Sequence, residues 1–126
     1  ARGLRGWIGK NVTAIHAVEF SIHHPAGFAG TCDALLDIQG KGPFIVDWKT
    51  SQRERSEDML TNYIDQCGGY GLGLRHLTGI VPAGALVVIA RRTGAPQIRE
   101  LSELELRGAE ARFLDRCERY FSTPVS

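Results

Sequence analysis

Phe44 to Ser51 reads FIVDWKTS, an apolar run that closes on an acid, an aromatic and a base. Three apolar residues in succession leave no polar face and mark a buried strand. Side chains two apart on a strand share a face, so Asp47 and Lys49 project together, with Ile45 on the same side. Phe44, Val46 and Trp48 point the other way, and that alternation predicts Trp48 to be a core residue on the packed face. The strand therefore delivers two opposite charges to one place.

The neighbouring segments give the strand its setting. VTAIHAVEFSI (residues 12–22) alternates with period two, HHPAG supplies a turn, and FAGTCDALLDI (residues 28–38) forms a second strand. QGKGP then supplies turn residues for a hairpin into FIVDWKT. From about Arg53 to Thr78 the period changes: Leu60, Tyr63, Cys67, Tyr70 and Leu74 recur at threes and fours, the mark of a helix with one buried face. Glycines 68, 69, 71 and 73 each cost such a helix about 1 kcal/mol against alanine. Their presence predicts close packing, here against a sheet. GALVVIARR reads as a fully buried strand and QIREL as a short further one. Ser102 with Glu105 forms a capping box that opens a last helix, with Leu106, Phe113, Leu114, Cys117 and Phe121 on one side. The predicted fold class is α/β (α+β): a central mixed β-sheet flanked by helices, in the order (α)βββαβ(β)α, over one domain, 1–126. The chain begins on a basic stretch with no apolar segment after it, and the expectation is an N-terminally trimmed domain.

Composition limits the function classes. With 126 residues, 43% hydrophobic and 23% charged, the chain matches an ordinary globular domain, and no apolar run reaches membrane-spanning length. A net charge of +1 means that contact with nucleic acid must come from a local patch. Cys32, Cys67 and Cys117 are odd in number, widely spaced and set in apolar patterns. They are expected to be reduced thiols, neither disulfides nor a zinc site, in an intracellular setting. A bacterial or phage-infected cytoplasm is the expected location, with the mitochondrion left open.

Asp33 lies on the strand before the hairpin, where antiparallel pairing brings it beside Asp47. Two convergent carboxylates with a backbone carbonyl and water make a hard-oxygen site suited to Mg²⁺ or Mn²⁺. Lys49 beside it would orient hydroxide and offset charge on a phosphate. The competing reading is a set of solvated strand ends, since D-x-K alone also occurs by chance.

With GFAGTCDALLDI, GPFIVDWKTS and QCGGY quoted in order, the chain resembles the PD-(D/E)XK nucleases, whose fold is the restriction-endonuclease-like core. In that superfamily a G-x-x-D strand precedes an apolar strand ending in D/E-x-K. Gln66 with Tyr70 resembles the Q-x-x-x-Y motif of the RecB-like branch, and the AGT-x-D and DWKTS runs are similar to mitochondrial genome maintenance exonuclease and its phage and bacterial relatives. The resemblance implies that Asp33 and Asp47 hold the metal, that the carbonyl of Trp48 completes the shell and that Lys49 is catalytic. Gln66 and Tyr70, four apart on one helix face, would meet the DNA backbone. It implies a Mg²⁺-dependent deoxyribonuclease, an exonuclease on single-stranded ends in DNA replication, repair or phage DNA processing.

Two further features bear on that reading. RecB-like enzymes carry a metal-binding histidine on a helix ahead of the first strand, whereas His16, His23 and His24 fall in the strand or its turn. Either that helix lies upstream of Ala1 or the activity is altered, so the alternative is a nuclease-like core that binds nucleic acid or a partner protein without cutting. Glu19, near a position where the family often has a glutamate, is a candidate to orient a ligand or water, or a surface carboxylate. Arg53, Arg55, Arg91 and Arg92 are candidate phosphate contacts, each more simply a solvated rim.

Overall fold

A computed structural model describes residues 9–51, 57–91 and 94–122. Residues 9–11 are helical and lead into β1 (Val12–His24). Then follow β2 (Phe28–Ile38), β3 (Gly42–Ser51), α1 (Glu57–Thr78), β4 (Gly84–Arg91), β5 (Gln97–Leu101) and α2 (Glu103–Ser122). Spatial order equals chain order, β1-β2-β3-β4-β5. β3 and β4 pair in parallel and all other neighbours are antiparallel. The sheet is mixed because hairpins join the first three strands, while α1 carries the chain from β3 back to a parallel β4.

The hairpin between β2 and β3 has a three-residue loop, residues 39–41, closed by the Ile38↔Gly42 pair. The Lys41 amide donates to the Ile38 carbonyl at 2.9 Å. Gly40 at φ 75° and Gly42 at φ 98° occupy a backbone region that side chains disfavour, which is why this turn is written with glycines.

Apolar layers form on both faces of the sheet. One joins Cys32, Leu35, Ile45, Val87 and Ile89 to Leu60, Cys67 and Leu74 of α1 and Leu106 of α2. The other gathers Ala34, Leu36, Phe44, Val46, Leu86 and Val88. β4 lies between them and is buried along almost its whole length, as its unbroken apolar run predicts.

The glycines of α1 pack closely, yet chiefly on α2 and less on the sheet as expected. A Cβ at Gly68 would overlap the backbone of Ala109, and one at Gly69 would sit 2.8 Å from the Phe113 ring. Gly73 alone of the four faces a strand residue, Ile22. The two helices approach so closely because one presents almost no side chains along the seam. The capping box of α2 is formed as the sequence predicts: the Glu105 amide donates to Ser102 Oγ and the Ser102 amide to Glu105 Oε1, both at 3.1 Å.

The last helix departs from expectation. It buries Leu106, Ala109 and Glu110, whereas Phe113, Leu114 and Cys117 are half-buried and Phe121 is 60% exposed. The apolar stripe continues past the point where α1 and the sheet have surface to offer, so only its N-terminal half is covered. Polar pairs also join the two helices. Buried Asp65 of α1 accepts from Arg112 at 3.2 Å and from Arg116, and buried Glu110 from Arg75 at 2.7 Å and from Arg107. Buried carboxylates persist only when so paired.

Candidate active site

The β2–β3 ladder ends at Ala34↔Val46, while β3 stays paired with β4 as far as Ser51↔Arg91. The next step of that register sets Asp33 against Asp47, at the fork where β2 leaves β3. There the Asp33 side chain replaces the lost ladder: its Oδ2 accepts the Trp48 amide at 2.9 Å. The backbone hydrogen bond that β3 would otherwise forfeit is thus made by a carboxylate, and the carboxylate is held in place by it.

Asp47 points to the helix face and is 1% exposed. Its Oδ1 lies 3.3 Å from Lys49 Nζ, so the two charges do share a face as the strand period requires. Its Oδ2 is buried without a hydrogen-bond partner. Burial first, and then the close Asp33 carboxylate, raise the Asp47 pKa to about 6 against the pull of Lys49. Lys49 in turn sits over the Tyr63 ring, 5.1 Å from its centroid. Tyr63 was legible only as a helix-face aromatic; its spacing one turn before Gln66 and Cys67 was the available signal for a place at the site.

A buried acid raised toward neutrality, with an oxygen that nothing in the protein satisfies, beside a second carboxylate: this donor set fits a hard divalent cation, which would satisfy the orphaned oxygen and favour the ionised form. Among the described residues, no group of three or more His, Cys, Asp or Glu is gathered to hold a metal. The protein carboxylates on hand are therefore two, and a backbone carbonyl and water would fill the remainder.

Trp48 corrects the sequence expectation. It does turn to the opposite face, but it is 38% exposed. By this point β2 has separated, so the indole has a strand on one side only, at Val88 of β4. It is a rim residue, not core.

Gln66 and Tyr70 line one cavity of about 230 Å³ together with Ile22, Gly30 and Phe113. Tyr70 is pushed up to about 12 by burial and by the negative charges of Asp47 and Asp33, so its hydroxyl stays protonated and available as a donor. The same charges reach Cys67, whose thiol burial pushes well above its ordinary range, and Cys32, raised to about 12. Both are inert core thiols, and all three cysteines are free. Cys117 is half-buried, short of the core position expected.

Of the histidines, His16 pairs with Asp37 at 2.9 Å, and the His24 ring stacks on Phe28 with His23 and His76 nearby. Glu19 is exposed, with a positive φ of 47°. Arg91 donates to the Ala95 carbonyl at 3.0 Å. Arg53, Arg55 and Arg92 lie outside the described residues.

A mixed sheet that forks at two carboxylates, with a lysine two residues on and helices over that face, defines a restriction-endonuclease-like nuclease core. A family model confirms the class: residues 3–125 match the PD-(D/E)XK nuclease superfamily, and the chain belongs to it. Among solved structures, a Eubacterium rectale protein named "Putative exonuclease" superposes with a TM-score of 0.62 at 19% identity, over 95% of this chain and 49% of that one. This chain thus spans about half the length of that relative. The protein named SSO0001 gives a TM-score of 0.49 at 16% identity, over 99% of this chain and 59% of that one, a likeness too slight to carry an argument. No curated protein matches.

Proposed function

We propose that the chain is a Mg²⁺- or Mn²⁺-dependent deoxyribonuclease of the RecB-like branch, an exonuclease on single-stranded DNA ends in replication, repair or phage DNA processing. The observation that carries the hydrolytic reading is the Asp47 carboxyl: buried, raised to about 6, with one oxygen unsatisfied and Asp33 and Lys49 at its sides. The exonuclease reading draws its support from the Q-x-x-x-Y pair and from the name of the Eubacterium rectale neighbour.

Asp33, Asp47 and the Trp48 carbonyl would hold the cation. Such an ion supplies charge neutralisation at the scissile phosphate and lowers the pKa of water at neutral pH. Lys49, held by Asp47 and backed by Tyr63, orients the incoming hydroxide and stabilises the charge that builds on the phosphate. The protonated Tyr70 hydroxyl and the Gln66 amide donate to phosphate oxygens of the strand and fix its position.

Lys49→Ala should abolish degradation of end-labelled DNA in Mg²⁺ while leaving thermal unfolding unchanged. Full activity in that variant refutes the mechanism. The second reading, a nuclease-like module that binds without cutting, draws on there being only two clustered carboxylates among the described residues. Calorimetric titration with Mn²⁺ separates the two: a catalytic site takes up metal and loses it in Asp33→Ala and Asp47→Ala, and a pure binding module takes up none.

A further inference from the structure

The turn between β1 and β2 reads HHPAG, residues 23–27. The Gly27 amide donates to the His24 carbonyl at 3.0 Å and closes it, with Pro25 second and Gly27 last at φ 102°. Asp, Asn or Ser usually fills the first position of such a turn, because a short side-chain oxygen there accepts the amide two residues on. Here a histidine does so: His24 Nδ1 accepts the Ala26 amide at 3.0 Å. Nδ1 can accept only while it carries no proton, so the bond belongs to the neutral ring alone. A proton near neutrality removes this acceptor, as it would not remove an amide or hydroxyl oxygen.

Two basic side chains of α1 bear on the ring. His76 lies 5.4 Å from His24 and 6.2 Å from His23 between ring centroids, and Arg75 precedes it in the last turn of the helix. Arg75 is paired with Glu110 of α2 at 2.7 Å. Beyond Gly27 and Phe28, α2 presents Cys117 with Arg116 and Arg119, which are paired with Asp65 and Asp115. Burial first, then the charges of His76 and Arg75, hold the His24 ring below its ordinary pKa. As pH falls, the unfolded chain therefore takes up this proton before the folded one. What the neutral ring contributes to stability is complete above about pH 6.5 and is lost as pH falls through the lower folded value.

The turn also carries a wall of the substrate cavity. Phe28 stacks on His24 at 5.0 Å with the ring planes 6° apart, and meets Phe113 of α2 edge-on at 4.7 Å. Phe28 and Phe113 both line the hollow that contains Gln66 and Tyr70. A Cβ on Gly27 would stand 2.5 Å from the Phe121 ring, so the turn lies directly on α2. An aromatic face holds an imidazolium more firmly than a neutral imidazole. A charged His24 ring that turns away from His76 and Arg75 thus takes Phe28 with it.

We propose that His24 is a pH-sensitive latch on this turn: neutral, it ties the Ala26 amide and seats Phe28 against Phe113; protonated, it frees the amide and draws Phe28 out of the wall beside Gln66 and Tyr70. The latch stands on this geometry, and its control of a substrate site rests on the nuclease reading above. NMR in EDTA between about pH 8 and about pH 4.5 tests it without substrate. In the parent, the Ala26 amide proton should move upfield and the Phe28–Phe113 ring contacts weaken, both with the midpoint of the His24 ring. His24→Asn supplies an oxygen acceptor that does not titrate, and should keep the amide bonded and the rings in contact throughout. An Ala26 amide that ignores the His24 titration in the parent, or moves as far in His24→Asn, overturns the latch.

Cutting of end-labelled DNA in Mg²⁺ gives the second arm. The rate of His24→Asn relative to the parent should rise at least about threefold between about pH 7.5 and about pH 5.5, since titration at the carboxylate site affects both alike. A ratio that stays constant while DNA is cut overturns the control of the site. A parent that cuts no DNA defeats the nuclease reading alone, and the NMR titration still decides the latch.

Discussion

Asp47→Asn should make the metal-free protein more stable at neutral pH, although it removes a residue assigned to the site. Burial and Asp33 raise the Asp47 pKa from 3.8 to about 6, so the folded state holds its proton more firmly than the unfolded chain does. Between those two values the folded protein binds the extra proton, and stability therefore falls as pH rises through that window. Below about pH 4 both states are protonated and no penalty exists; above about pH 6 it is complete. Two pKa units at 1.36 kcal/mol each make it roughly 3 kcal/mol at pH 7. Asparagine mimics the protonated acid: its amide nitrogen can donate to Asp33 and its oxygen can face Lys49. Urea unfolding in EDTA at pH 4, 5 and 7 should show the variant level with the parent at pH 4 and more stable by roughly 2–3 kcal/mol at pH 7, with equal m values. Saturating Mg²⁺ should then stabilise the parent and not the variant. A variant no more stable than the parent at pH 7, or a gap that persists at pH 4, refutes the account of Asp47.

Gly68→Ala forces a Cβ into the Ala109 backbone and should cost about 1–3 kcal/mol in chemical denaturation, despite alanine being the better helix former. Ser102→Ala removes the acceptor for the Glu105 amide and should lower stability by about 1 kcal/mol, read as a fall in the denaturation midpoint. Cys32 and Cys67 should resist alkylation in the native protein and react fully in urea, as mass spectrometry will show, while half-buried Cys117 reacts first.

Much of the site was legible because its parts obey local rules. The two-residue period placed Asp47 and Lys49 on one face, and the hairpin turn set Asp33 against Asp47. The capping box announced the start of α2. What escaped depended on surfaces that periodicity does not describe. Trp48 has the right parity for the core, but the departure of β2 leaves one of its flanks uncovered, and the point of departure is a property of the pairing. Phe121 continues an apolar stripe in good register, yet a stripe does not say how far its cover extends. The burial of Asp65 and Glu110 carries no local signal, because the arginines that permit it lie mostly far along the chain: Arg112 and Arg116 for Asp65, and Arg75 for Glu110, with Arg107 alone nearby.

The three-residue turn between β2 and β3 touches neither carboxylate, yet it works as a ruler for them. It sets the count along each strand from Ile38↔Gly42, and that count places Asp33 across from Asp47. Slippage by a single residue would present Cys32 or Ala34 there instead and turn every β2 side chain to the other face. Insertions in this loop are thus changes to the chemistry made at a distance, and natural variation in its length should be scarcer than its exposure alone would suggest.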